Sequence, residues 1–261
     1  MRLCWWWTVL VLTGMCCFGQ YVAPCNFNSL CTCKYYDIIL EDPQKMSAVS
    51  MYRSSNYLRH YPENLSHIDV VKAGMDSIDS ETLTGIETES LRLMNNEIVD
   101  ISDTSFSSLA NSLRFLDLSY NKLDRIPIDA LKRLKALDWL NLQGNEITGL
   151  DKDDWSHMSR TLRNLFVGEN NIDTLSTTPD ESLARLKSLT SLNLDYNELT
   201  SLDATALPAN LQTLSVAYNQ LKKAPLRLIE TMKDLVWSRY RATASKTSLN
   251  TRSKPGRTSR N

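Results

Sequence analysis

LRFLDLSYNKL (113–123), LDWLNLQGNEI (137–147), LTSLNLDYNEL (189–199) and LQTLSVAYNQL (211–221) are four copies of one pattern, L-x-x-L-x-L-x-x-N-x-L. Seven copies begin at Leu65, Thr88, Leu113, Leu137, Leu162, Leu189 and Leu211, at spacings of 23, 25, 24, 25, 27 and 22 residues. The lengths drift while the phase is kept. A unit this short cannot bury its own apolar face, so it must stack on its neighbours. An eighth copy at Leu235 breaks at once, because LVWSRY puts Ser238 where Leu is required.

Within each copy, L-x-L alternates apolar and polar residues, the period of a half-buried strand. Leu91 and Leu93, Leu116 and Leu118, and Leu140 and Leu142 should point inward. Six copies then carry an asparagine: Asn96, Asn121, Asn145, Asn170, Asn197 and Asn219. The chain must turn there, and the turn buries backbone groups that need partners. A carboxamide donates and accepts, so it can serve its own coil and the next. The first copy has Ala73 at this place and should be less well tied. A second apolar set (Ile101, Phe106, Leu109; Ile126, Leu131, Leu134) follows on the outer side, and LARLKSL (183–189) reads most clearly as helix. The pattern is identified as the leucine-rich repeat. It implies an α/β solenoid with a parallel concave sheet and an irregular or short-helical convex side.

The N-terminus, MRLCWWWTVLVLTGMCCFGQ, has basic Arg2 followed by a mostly apolar run, with Cys17 and Gly19 small at the cleavage spacing. It reads as a secretory signal peptide over 1–19, the alternative being a membrane anchor. No later stretch is long and apolar enough to cross a bilayer. Three cysteines then remain, in CNFNSLCTC (25–33), an odd number for a secreted chain. The C-x-C could also suggest a metal site, but no further thiol or paired His supports one.

Cys25, Cys31 and Cys33 just ahead of the repeats resemble the cysteine-rich N-terminal cap of extracellular leucine-rich repeat proteins. That cap pairs its first cysteine with its third and its second with its fourth. The resemblance implies a Cys25–Cys33 disulfide and leaves Cys31 unpaired, because Met51 stands where the fourth cysteine is expected. CNFNSLCTC is also similar to the start of chaoptin-like insect adhesion proteins. Asn64-Leu65-Ser66 is a sequon, making Asn64 a glycosylation site in a secreted chain. The expected organisation is therefore a signal peptide (1–19), a cap (20–62), seven repeats (63–234) and a basic, disordered tail (235–261).

From Leu235 onward there are seven Lys/Arg and no Asp/Glu, leaving 22 basic against 30 acidic residues before it. Three readings fit this end. The chain is a truncated or spliced form of a longer protein, or Trp237 and Tyr240 fold over the last coil, or the open end pairs with another subunit. Scattered charges are not a nucleic-acid motif, and no lipid-anchor signal follows.

On the concave sheet, the residues between inward leucines form rows. One row runs His67, Ser90, Phe115, Trp139, Asn164, Ser191, Thr213. The next runs Asp69, Arg92, Asp117, Asn141, Phe166, Asn193, Ser215. Most entries are small or polar, but Phe115, Trp139 and Phe166 fall on three successive copies. Exposed aromatics in one patch are typical interface anchors, though scattered surface aromatics are also ordinary. The patch, flanked by Asp117 and Asn141, is the expected partner surface. Tyr120, Tyr196 and Tyr218 each precede a ladder asparagine and read as packing at the turn.

Catalysis is not expected. His60, His67 and His157 are the whole complement of histidine, and no nucleophile elbow, phosphate loop or zinc motif is present. Asp151, Asp153 and Asp154 lack the glycine and ligand spacing of a calcium loop. No cofactor is implied. The sequence points to extracellular or cell-surface protein partners, a homophilic or end-to-end dimer among them. By resemblance the role is adhesion or receptor-type recognition. The competing role is that of a soluble pattern-recognition, inhibitory or decoy factor.

Overall fold

Each L-x-L segment forms a short strand, and the strands stack side by side because each coil returns its chain one strand further along. The computed structural model describes residues 65–222, apart from 73, 81, 84–85, 151–154 and 179–181, with side chains from residue 67. It also describes the backbone of five outlying strands. Two of these, β1 (Met15–Phe18) and β2 (Tyr21–Pro24), form a separate antiparallel pair. The expected signal cleavage, the Cys25–Cys33 pairing, the state of Cys31, Asn64, Met51, Asp151, Asp153 and Asp154 fall outside the described residues or side chains.

A ten-stranded sheet carries the fold. It begins with an antiparallel hairpin of β3 (Cys31–Lys34) and β4 (Asp37–Glu41). Then come β5 (Leu65–Val71), β7 (Thr88–Arg92), β9 (Phe115–Asp117), β10 (Trp139–Asn141), β11 (Asn164–Phe166), β12 (Ser191–Asn193) and β13 (Thr213–Ser215), parallel throughout. The sheet crosses the boundary expected at residue 235. β14 (Val236–Arg239) pairs in parallel with β13, so the basic tail begins with a strand. Its register sets Trp237 opposite Leu214, and a bulge accommodates Ser238, the residue that broke the pattern. Away from the sheet, β6 (Ser77–Ile78) and β8 (Asp100–Ile101) join the first two coils.

The inward leucines form one continuous core. Leu91, Leu93, Leu116, Leu118, Leu140 and Leu142 are fully buried, and so is Thr88 at the head of its copy. The convex side is built from single turns. Among the described residues there are 3₁₀ turns at Ser107–Leu109, Trp155–Met158, Leu183–Arg185 and Ala204–Ala206, and one α-helical turn at Ile128–Leu131. The helix expected over 183–189 stops after Arg185. Leu186 leaves the helical region (φ −76°, ψ 73°), and the Ser188 N–H is drawn to Ser159 O of the preceding coil at 3.0 Å. Leu186 and Leu189 both stay in the core.

All six ladder asparagines are buried, and each bonds backward rather than forward. Asn145 Nδ2 donates to Leu142 O in its own coil (2.9 Å) and to Leu118 O in the preceding one (3.0 Å). Its Oδ1 accepts the Leu123 N–H, also of the preceding coil (3.1 Å). Asn121, Asn170, Asn197 and Asn219 repeat the arrangement. Asn96 reaches Val70 O (2.8 Å) and the Met75 N–H (3.4 Å), so the first coil is tied by the second coil's asparagine.

Replacing Asn145 with Ala orphans the buried Leu123 N–H and removes one of the two carboxamide donors from Leu118 O and from Leu142 O, which keep those of Asn121 and Asn170. At about 1–3 kcal/mol for the orphaned N–H and about 0.5–1.5 kcal/mol for each carbonyl bond lost, less relaxation, the variant should lose about 2–4 kcal/mol in denaturant titration. A loss within the error of the titration would show that the side chain is not the tie.

Candidate partner-binding face

One residue before each ladder asparagine, and at Lys72 in the first coil, the backbone is left-handed. Lys72, Asn95, Tyr120, Gly144, Glu169, Tyr196 and Tyr218 have φ between 52° and 68°. Their N–H groups continue the sheet's bonding past the strands, for example Tyr120 N–H to Gln143 O (2.7 Å) and Tyr196 N–H to Ala217 O (2.8 Å). Three residues before the corners at Tyr120, Gly144 and Tyr196, the side chains of Asp117, Asn141 and Asn193 cap the strand ends. Their Oδ1 atoms accept the N–H groups of Ser119 (3.0 Å), Gln143 (3.0 Å) and Asp195 (2.8 Å). Asp117 is buried and also takes the Ser119 hydroxyl (2.6 Å). Asp117 and Asn141, expected as flanking contacts, are thus held by their own turns, and Asn141 is the more open of the two.

The three aromatics meet as their rows require. Strand register sets Phe115 against Trp139, and Phe166 against Asn141. Strands lie about 4.8 Å apart, so rings at paired positions can stack. Phe115 and Trp139 do, with centroids 3.8 Å apart and planes 11° from parallel. Phe166 leans on the other side of Trp139 at 5.1 Å and 41°. The Arg92 guanidinium, one strand earlier, lies 5.3 Å from the Phe115 centroid and 3.4 Å from Asp69. Arg92 is the member that sequence reasoning missed, although its place in the row beside Phe115 was readable. The rings cover each other's faces, so the cluster offers its edges to solvent and all three side chains are half-buried. Small buried polar residues, Ser90, Ser119 and Ser215, line the sheet around it.

A second aromatic line runs along the left-handed corners. The Tyr120 ring lies over Gly144, where an added Cβ would fall 2.4 Å from Cδ1. Its hydroxyl accepts from Gln143 Nε2 (3.1 Å) and donates to Glu169 Oε1 (3.4 Å), two coils away. Partial burial and the Glu169 charge hold that hydroxyl above the usual tyrosine pKa, against the pull of Gln143. Tyr196 and Tyr218 stack at 4.1 Å and 9°. The bond with Tyr218 raises the Tyr196 pKa, helped by Asp195 and Glu169 nearby. Tyr120 thus packs on the next coil's turn as expected, whereas Tyr196 and Tyr218 pack on each other, and all three stay exposed.

The sequence profile of the leucine rich repeat matches residues 86–147, 111–172 and 160–221, just over half of the chain. This chain belongs to the leucine-rich repeat family. Among curated proteins it is similar to Chaoptin of Drosophila melanogaster, 29% identical over 165 residues, covering 62% of this chain and 12% of Chaoptin. It is also similar to Lumican of Bos taurus, 35% identical over 142 residues, covering 52% of this chain and 38% of Lumican. The chain thus spans well under half the length of either. Among solved structures, an APL1 leucine-rich repeat domain (TM-score 0.54, 22% identity) aligns over 61% of this chain and 41% of its own. An internalin (inlF) from Listeria monocytogenes (TM-score 0.54, 22% identity) aligns over 76% and 51%. Both share the repeat fold. Among the described residues no helix is long and apolar enough to cross a membrane, and no group of His, Cys, Asp and Glu is placed to hold a metal.

Gly144→Ala should cost about 1–3 kcal/mol, from the left-handed backbone and from displacing Tyr120 off Gln143 and Glu169. In a Tyr120→Ala background the same change should cost only about 1 kcal/mol, the backbone share. Equal costs in the two backgrounds, read from thermal midpoints, would contradict the contact.

Proposed function

We propose that this chain is a secreted or cell-surface recognition module that binds a protein partner through its concave face, with Trp139 at the centre of the contact. The observation that carries this reading is the stacked cluster of Arg92, Phe115, Trp139 and Phe166. Four large side chains on a face otherwise lined mostly by small or polar residues make a compact anchor, and it is already ordered without a partner. Pre-ordering removes much of the side-chain entropy that binding would otherwise cost. Edge-on rings suit side chains and backbone carbonyls inserted from another protein. They offer little free ring face to a sugar. The similarity to Chaoptin and Lumican and the N-terminal CNFNSLCTC support an extracellular setting and an adhesion or receptor-type role. Nothing in the cluster is arranged for catalysis.

The setting is tested by expressing the chain from Met1 in eukaryotic cells. The expected product is in the medium, begins near residue 20 and carries glycan at Asn64. Binding is tested by screening that product against an array of purified extracellular domains, the chain itself included. Trp139→Ala should weaken any hit by about thirtyfold or more, the scale of a central anchor of ~2 kcal/mol. Undiminished binding by a folded Trp139→Ala protein would sink the reading. A hit on the chain itself selects homophilic adhesion, and a hit on another domain selects a receptor or soluble capture role.

A further inference from the structure

The large apolar or aromatic side chains exposed among the described residues are Val99, Tyr120, Tyr196 and Tyr218, and three of these four lie on the left-handed corners. The fold demands positive φ at each corner, but it does not demand tyrosine. Asn95 and Gly144 fill the same place in other coils, and Gly and Asn are the residues that adopt this backbone at least cost. Nor does the core use the rings, since they are 41%, 51% and 42% exposed. An aromatic kept in a strained position and turned to solvent points to a contact outside the chain.

The charges around the row say of what kind. Glu169 is itself an exposed corner residue, Glu146 and Glu198 are exposed two residues past the corners at Gly144 and Tyr196, and Asp195 adjoins Tyr196 with its Oδ1 taken by the Ser215 hydroxyl and the Ala217 N–H at 2.6 Å each. Among the described residues the recorded ion pairs use Asp69, Glu97, Asp100, Asp129 and Asp138, and none uses these four. Lys122, the cation nearest in sequence to Tyr120, is occupied by Glu97 at 3.1 Å. Glu169 stands between the Tyr120 hydroxyl and Tyr196, and its Oε1 is oriented by Gln143 (2.7 Å). Tyr196 is stacked on Tyr218 on one side, so its other face looks toward the Glu169 coil. A cation placed there meets an aromatic face and a carboxylate together.

We propose that the corners from Tyr120 to Tyr218 form a second interaction surface, separate from the concave cluster, that takes the arginine and lysine side chains of a basic segment of a partner protein. Guanidinium groups fit it best, because a flat cation stacks on a ring while its N–H groups reach a carboxylate. An acidic or purely apolar segment would leave the four carboxylates facing like charge or unsolvated.

The test uses the full chain and a fluorescein-labelled nona-arginine peptide at low salt, read by anisotropy. The informative variant is Tyr196→Asn with Tyr218→Asn, because asparagine suits the backbone there and already serves at residue 95. Its thermal midpoint should hold or rise. The unaltered chain should bind the peptide, and the double variant should bind about five- to tenfold more weakly. Glu169→Gln should weaken binding by about threefold, and Trp139→Ala should leave it unchanged. The proposal is overturned if the unaltered chain does not bind, if the double variant binds as tightly, or if Trp139→Ala weakens the peptide instead.

Discussion

The structure depends on one shared side chain, the buried asparagine that closes the turn of its own coil and holds the turn before it. A coil of this size has too little apolar surface to stand alone. Its strand is three residues long in most copies, and the carbonyls at the end of that strand are turned away from water. The carboxamide meets both needs at once. It satisfies Leu142 and Leu118 with one nitrogen and the Leu123 N–H with one oxygen, as Asn145 does. Because donors and acceptor belong to two coils, the bond also fixes how far one coil is rotated against the next.

That fixed rotation turns sequence spacing into geometry. Residues one copy apart become neighbours in a row, so Phe115 and Trp139 stack although 24 positions separate them. The same constraint forces the residue before each asparagine into the left-handed region, which throws its side chain to the edge of the sheet. Two surfaces thus arise from one repeat. The concave rows carry the aromatic cluster and the corners carry the tyrosines. Neither surface contributes much to the core, so its residue types are free to serve recognition.

Much of this is legible in the residues. Inward leucines, the asparagine ladder and the membership of the concave rows follow from a period-2 strand inside a repeat of steady phase. What escaped had physical reasons. The asparagines reach backward because one of the two carbonyls each serves, and the N–H it accepts, belong to the preceding coil, and a linear pattern carries no direction. Leu183–Leu189 has helical spacing, yet the Ser188 N–H is claimed by a neighbouring coil, and no local propensity encodes that. Tyr196 and Tyr218 look like turn packing until the left-handed backbone is known, since positive φ is readable only from glycine, as at Gly144. Asp117 and Asn141 look free at strand positions, but each caps its own strand end two residues on. At Val236–Arg239, one bulge restores a pairing that strict pattern matching rejects.

The measurement that bears most directly on the ladder is native-state hydrogen exchange on the full chain. Attention falls on the N–H groups of Ile98, Leu123, Ile147, Ile172 and Leu199, each given to an asparagine Oδ1 and to nothing else in its own coil. If the carboxamides join the coils, these amides exchange as slowly as those of the central strands and respond together to low denaturant. Exchange as fast as that of the exposed convex turns would contradict the account, and the two surfaces would lose the common frame that aligns them.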